Sequence, residues 1–549
     1  MKEKPILACG FFKLREFHVF CAAALLLLVL TGFLHLFRIG EIPNGFYIDE
    51  SSIGYKAWSI AETGADEYGI RYPVFFKCFD IYYHDPVVIY FLVPMVETFG
   101  LEKWVIRFPS AFFLIMASIA FFFLASKYVR NRWICLGGAF VFSILPWVFP
   151  LSRTGIGGWY MPMLLGIISG WYFLFDAIGK KSNISAVLAG LCWSFAMYSQ
   201  NTGRPITAVM LVCFVLILNV LLIRRWKVFV LFVVTYIVCL IPMIVSVLNN
   251  PASLTSRFSL LSVWSGSSGL GETIMRIVDR YFEYFSPAFL FVSGDQANLR
   301  HHTGNSGELY VFMIPFIIAG IYCFYKGFLK NAYIRFSVFV LAVYPVAAML
   351  TVDHMHSARA INGAIIWSIL AVVGAGYLWN KREVKIFKIV LCSLVFLSIY
   401  ETATYFNYYF GKYVENSRLD FLAPYVEAFE YSFKNLKPGE TLYISASAIP
   451  QRINSEFKPF WYSRLLFFGK VPPAEYQKAG IPKGYICAYQ GQTLKKGIFI
   501  RNSIVSFKDG GGTVHPVQNN EKVPGNSTLI RQFQIVAGEQ AFLEIYCVE

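Results

Sequence analysis

Long apolar runs alternate with short polar connections through the first 410 residues of the chain. The first run, Phe17–Phe37, is about 20 residues, the length that crosses a hydrocarbon core. Lys2, Lys4, Lys13 and Arg15 precede it and no small-residue cleavage site follows, so it reads as an uncleaved first helix. Further spans are predicted at about 104–126, 133–149, 159–178, 184–198, 206–223, 228–247, 309–328, 334–352, 360–379 and 387–406. Val87–Phe99 is apolar over only about 13 residues and predicts an interfacial or re-entrant helix. After residue 410 the pattern changes. Short alternating runs, 441–445 and 497–505, predict strands, and 423–435 predicts a helix.

The chain therefore reads as a polytopic α-helical membrane protein of about 11 transmembrane helices with a C-terminal α/β or α+β domain. Residues 1–410 form the transmembrane domain, with long loops at 38–103 and 249–308, and residues 411–549 form a soluble domain. Charge fixes the expected orientation. With the N-terminus inside, the inner connections hold Lys127, Arg130, Arg132, Lys180, Lys181, Arg224, Arg225, Lys227, Lys326, Lys330, Arg335, Lys381, Arg382, Lys385 and Lys388. The short outer loops hold only Arg153, Arg204 and Arg359. That asymmetry predicts N-in/C-out topology, with both long loops and the C-terminal domain extracytoplasmic.

Composition agrees: 56% of residues are hydrophobic and 15% charged, against about 25% charged in soluble domains. The net charge of +15 needs no nucleic-acid partner, because the basic residues sit in short clusters between apolar runs. Most of the 11 cysteines lie inside apolar runs and no CxxC occurs, so no zinc-ribbon or redox motif is read. Cys487 and Cys547 share the C-terminal region and form the one candidate disulfide.

The candidate chemistry collects in the loops assigned to the outer side. GFYIDESSIGY, residues 45–55, places Asp49 and Glu50 side by side just after the first span. Acids near a membrane are costly and mark functional sites, although an acid beside Ser51 and Ser52 also suits a helix start. Such a carboxylate either takes a proton from an acceptor hydroxyl or holds a divalent cation. Arg359 lies in the last short outer loop, where guanidinium suits a lipid phosphate, and His354 and His356 of the same loop are candidate substrate contacts. Asp295, Arg300, His301 and His302 form a substrate-contacting loop in this reading, since their spacing matches no compact zinc motif. Arg300 and Arg204 add a second and a third candidate phosphate contact, and Tyr55 an aromatic face for a sugar. No residue is assigned as a metal ligand. A divalent cation is the one cofactor left open.

The order GFYIDESSIGY, then YYHDPVVIYFLVPMVETFG, then VIRFPSAF resembles the bacterial relatives of dolichyl-phosphate-mannose protein mannosyltransferases, including the aminoarabinose transferases that modify lipid A. These are membrane glycosyltransferases of the C-type fold. GDQANLRHHTGNSGELY and DHMHSARAING resemble the outer loops of bacterial members. The resemblance spans roughly the first 410 residues. It implies transfer of a hexosyl or pentosyl group from a polyprenyl-phosphate donor to an extracytoplasmic acceptor hydroxyl on protein, lipid or cell-wall glycan. It implies Asp49 as catalytic base, Glu50 as the adjacent acid and Arg359 as the lipid-phosphate contact. Many relatives carry His-Pro-Pro in the first loop where this chain has His84-Asp85-Pro86, which makes His84 and Asp85 candidate substrate contacts. A membrane transporter or lipid flippase is the alternative. It predicts ionisable groups at mid-span and repeated halves, and no repeat is found.

Overall fold

In lipid every backbone amide must bond within its own segment, so the apolar runs have little choice but helix. The structure is a computed structural model that describes residues 14–264, 269–445, 462–480, 485–487, 496–502, 504–508, 514–518, 523, 525–534 and 542–549. Among these, seven helices are long and apolar enough to cross a membrane: Phe17–Leu36, Lys103–Ala125, Gly157–Lys180, Trp226–Asn249, Ala332–Met349, Gly363–Asn380 and Lys385–Phe410. Three of the other four expected spans fall on shorter apolar helices, Arg132–Ser143, Asn183–Ser199 and Val311–Gly327, and the fourth falls on the 22-residue helix Gly203–Arg224. Proline accounts for two of these differences. Pro146 ends the first helix early, because the residue before a proline leaves the helical region. Pro315 sits in the first turn of Ile314–Gly327, so regular helix begins there and not at Leu309. The run at Val87–Phe99 is the 14-residue helix Pro86–Phe99, again under a span's length.

The chain packs as two units. One holds the chain up to Ile39, Ile81–Val88 and Arg107–Gly411. The other holds Gly40–Asp80, Ile89–Ile106 and Lys412–Glu549, so most of the first loop folds with the C-terminal residues.

In the first unit, helices approach closely where side chains are small. A Cβ on Gly374 would lie 1.8 Å from the Phe316 carbonyl oxygen, so helices Gly363–Asn380 and Ile314–Gly327 touch backbone to backbone. Arg153 is fully buried and donates from Nη1 to the Leu34 carbonyl and from Nη2 to the Phe37 carbonyl, both at 2.5 Å. Those carbonyls end the first helix and lack helical partners, so the arginine acts as its C-terminal cap.

In the second unit a five-stranded sheet runs in the order 485–487, 441–444, 497–502, 542–548, 527–534. The first three strands are parallel and the last two antiparallel to their neighbours. The expected strands at 441–445 and 497–505 are Thr441–Ile444 and Gly497–Asn502, and the expected helix is Ala423–Asn435. The Cys487–Cys547 disulfide does not form. Two strands separate their own strands in the sheet, about 14 Å at ordinary strand spacing, whereas a bridge needs Cα atoms within about 7 Å.

Candidate active site

The acidic stretch of the first loop forms the N-terminal turn of the helix Ile48–Thr63 in the second unit. Gly45 enters it with φ of +92°, and a Cβ there would sit 2.5 Å from the Phe421 carbonyl oxygen. Only glycine fits both conditions. The Phe46 amide donates to that same carbonyl at 2.9 Å, which seats the loop on the segment after the membrane domain. Glu50 accepts the Tyr47 amide on Oε2 at 2.7 Å, reaching back from the helix's third position. Asp49 is buried one position earlier and lies close enough to Cys78 to act on its thiol. The two acids thus have different surroundings. Glu50 is built into the helix start, and Asp49 leads the helix beside it.

Behind this turn sits a group that the sequence reading passed over. Lys56 and Glu67 are both fully buried and pair at 2.9 Å. The Tyr462 hydroxyl donates to Glu67 Oε1 at 2.8 Å, and Lys56 also donates to Ser52 Oγ at 2.6 Å. Burial pushes the Glu67 carboxyl up, and the Lys56 ammonium pulls it back. Tyr55, a candidate sugar platform, is fully buried and donates its hydroxyl to the Val471 carbonyl at 3.0 Å.

In the first unit, the loops 284–310 and 351–362 bring together most of the late candidates. Asp295, His301 and His356 are all buried, and each offers one ligand atom within 4.8 Å of the others. The His301 and His356 rings lie 4.7 Å apart between centroids. Asp295 Oδ1 accepts the Asn298 amide and Oδ2 the Ser357 amide, both at 3.1 Å. Burial nevertheless pushes its carboxyl up to about 7. His356 is held well below the usual imidazole range by burial, then by Arg359, His301 and Arg300, which places both arginines within electrostatic reach. Arg359 is bound by Asp353 and by Thr351 Oγ1 at 2.7 Å, and Arg300 Nε donates to Asn298 Oδ1 at 3.0 Å.

Three candidates of this unit have other partners. His354 is exposed and contacts Glu283 Oε1 at 2.8 Å. His302 is fully buried, lies 3.9 Å from Glu308 Oε2, and is pulled down to about 4 by burial. Arg204 is paired with Asp85 and also donates to Asn201. His84 lies beside Asp85 with its ring 4.7 Å from that of Trp159. Sequence reasoning missed Glu308 and Ser357, which are hydrogen-bonded to each other beneath Asp295. The signal was there in GELY: an acid immediately before an apolar run.

A divalent cation finds a suitable donor set in Asp295, His301 and His356, which combine one carboxylate and two imidazoles.

No family model matches the chain, and no curated protein matches it. Among solved structures, the apo oligosaccharyltransferase of Archaeoglobus fulgidus is similar, with a TM-score of 0.50 and 11% identity over 94% of this chain and 76% of that one. ArnT from Cupriavidus metallidurans bound to undecaprenyl phosphate gives a TM-score of 0.49 and 12% identity, covering 88% of this chain and 93% of that one. The Archaeoglobus fulgidus enzyme in complex with Zn and sulfate gives 0.48 and 12%, covering 91% and 74%. The likeness to the apo oligosaccharyltransferase shows a shared fold.

Proposed function

We propose that the chain is a glycosyltransferase that moves a sugar from a polyprenyl-phosphate donor to an acceptor hydroxyl on the extracytoplasmic side, with Asp49 as general base. The observation that carries this reading is the buried Asp49 in the first turn of helix Ile48–Thr63, on a fold shared with an oligosaccharyltransferase. Glu50 ties down that first turn through the Tyr47 amide, so the neighbouring carboxylate is held in a defined place.

In the proposed reaction the Asp49 carboxylate accepts the proton of the acceptor hydroxyl. The hydroxyl oxygen forms a bond to the anomeric carbon, and the bond from that carbon to the lipid phosphate oxygen breaks. The electron pair leaves with the polyprenyl phosphate, and the configuration inverts. The resemblance gives the contact with the lipid phosphate to Arg359, whose guanidinium suits that role. Arg359 is held by Asp353 and Thr351, which fixes its guanidinium in place. Arg204 is assigned to Asp85 and positions the first loop's His84-Asp85 segment in place of a direct phosphate role.

The test is transfer of labelled sugar from a panel of polyprenyl-phosphate sugars, in membranes containing wild type or Asp49→Asn at equal abundance. Wild type is expected to consume one donor, and the variant to lose roughly 10²–10⁴-fold in rate. Equal turnover by the two removes Asp49 as the base. Absence of turnover with every donor, in membranes that transport a labelled lipid or solute, would favour the transporter reading.

A further inference from the structure

Two histidines and one aspartate converge from two loops, His356 lying 55 residues after His301 and 61 after Asp295, and the reaction above uses none of the three as acid, base or nucleophile. We propose that Asp295, His301 and His356 bind one Zn²⁺ ion, which staples the loop 284–310 to the loop 351–362. Zinc binding at this place does not depend on the proposed transfer reaction.

Donor chemistry favours this metal. Imidazole nitrogen with a single carboxylate suits borderline ions such as Zn²⁺, whereas Mg²⁺ and Ca²⁺ prefer all-oxygen shells. Geometry is close to what is required. Donor atoms bonded at about 2.0–2.2 Å to a tetrahedral ion sit about 3.4 Å apart, so the present separations of up to 4.8 Å must close by roughly 1.5 Å at the widest. Side-chain rotation supplies that much without backbone change. The carboxylate is already oriented: its two oxygens accept the Asn298 and Ser357 amides, which leaves further lone pairs for a ligand. Support of this kind is what holds metal ligands in place. His356 Nδ1 also accepts the Arg359 amide, but at 3.3 Å this long contact yields on ligation.

Charge bears on the matter too. Arg300 and Arg359 act on His356 and oppose a second cation there. Arg359 is paired with Asp353, however, and its charge is largely compensated locally. Three protein ligands leave one tetrahedral position open for water or an anionic oxygen. The chief consequence is mechanical. Arg300 precedes His301 directly, and Arg359 follows His356 by three residues, so a closed site fixes the backbone that carries both guanidiniums.

The experiment uses the full chain in detergent, stripped with a chelator and titrated with Zn²⁺, with Co²⁺ as a spectroscopic substitute. One equivalent per chain is expected, with Co²⁺ giving the visible bands of a four-coordinate site. Asp295→Asn, nearly isosteric, and His301→Ala are expected to weaken binding at least roughly 100-fold. His354→Ala, at the exposed histidine of the same loop, is expected to bind as wild type. Zn²⁺ should raise the thermal midpoint of wild type and not of Asp295→Asn. Wild type that takes up no stoichiometric zinc overturns the proposal, as does Asp295→Asn and His301→Ala binding with unchanged affinity. If His301→Ala does not fold, the wild-type titration and Asp295→Asn decide alone.

Discussion

Asp49 and Glu50 are neighbours in sequence with separate work, and substitutions should divide them. Losing Glu50 removes the acceptor for the Tyr47 amide. Glu50→Ala is therefore expected to cost about 1 kcal/mol of stability in a thermal or denaturant measurement, while Glu50→Gln keeps most of the hydrogen bond. Asp49→Asn should leave stability near wild type and act on the rate. Cys78 reports on the same environment. Burial, with a contribution from Asp49, pushes its thiol from 9.0 up to about 12. At pH 8 the folded chain should thus resist alkylation at Cys78, whereas the unfolded chain reacts. The sign for stability follows. Above about pH 9 the unfolded chain releases this proton and the folded chain keeps it, so Cys78 lowers stability progressively as pH rises towards 12. Mass spectrometry of labelled peptides, and melting curves of Cys78→Ser against wild type, would check the two statements. The Asp-Glu pair was legible in the sequence because acids are rare beside a span. Glu308 left only the trace of an acid before an apolar run and Ser357 left none, since their pairing depends on a fold that brings residues about 50 apart into one buried hydrogen bond.

At the scale of elements, the helix Ile48–Thr63 is held by a buried ion pair and by tyrosine hydroxyls, with few exposed groups among its first dozen residues. Removing one charge from such a pair leaves the other uncompensated. Lys56→Met or Glu67→Gln is expected to destabilise the second unit by about 3–5 kcal/mol, while the double replacement recovers much of the loss. A double-mutant cycle on thermal or denaturant unfolding measures this coupling directly. Neither residue stood out in the sequence: a lysine in an amphipathic stretch and a glutamate in a polar loop look like solvated charges. Their burial comes from Tyr462, nearly 400 residues later, which no local pattern announces. The long loop 249–308 contains the helices Ala252–Leu261 and Leu270–Glu283. Its Gly- and Asn-rich end folds around Asp295 through turns, and this part of the site was visible only as a collection of polar residues.

For the whole molecule, hydrophobic run length carried most of the fold. The runs became helices, and among the described residues seven are long and apolar enough to cross a membrane. Run length could not show where proline ends a helix inside an apolar stretch, as at Pro146 and Pro315. Nor could a linear pattern show that the first loop packs with the C-terminal residues in one unit. A chain ending at Gly411 lacks the Phe421 carbonyl, Tyr462 and Val471, which hold Phe46, Glu67 and Tyr55. Limited proteolysis should therefore cut the first loop of the shortened chain between residues 40 and 80 and spare it in the full chain. Equal resistance in both would mean that the loop holds its shape unaided.

The same packing sets a timetable for biosynthesis. The first loop leaves the ribosome about 330 residues ahead of Lys412, so at about 5–20 residues per second it waits roughly 15–65 s for the partners that cover it. Over that interval a lysine and a glutamate destined for burial stand in water, and the apolar ring of Phe46 has no seat. The acidic turn at Asp49 therefore comes into being near the end of translation, and a ribosome that stalls late would release a membrane-inserted chain without it.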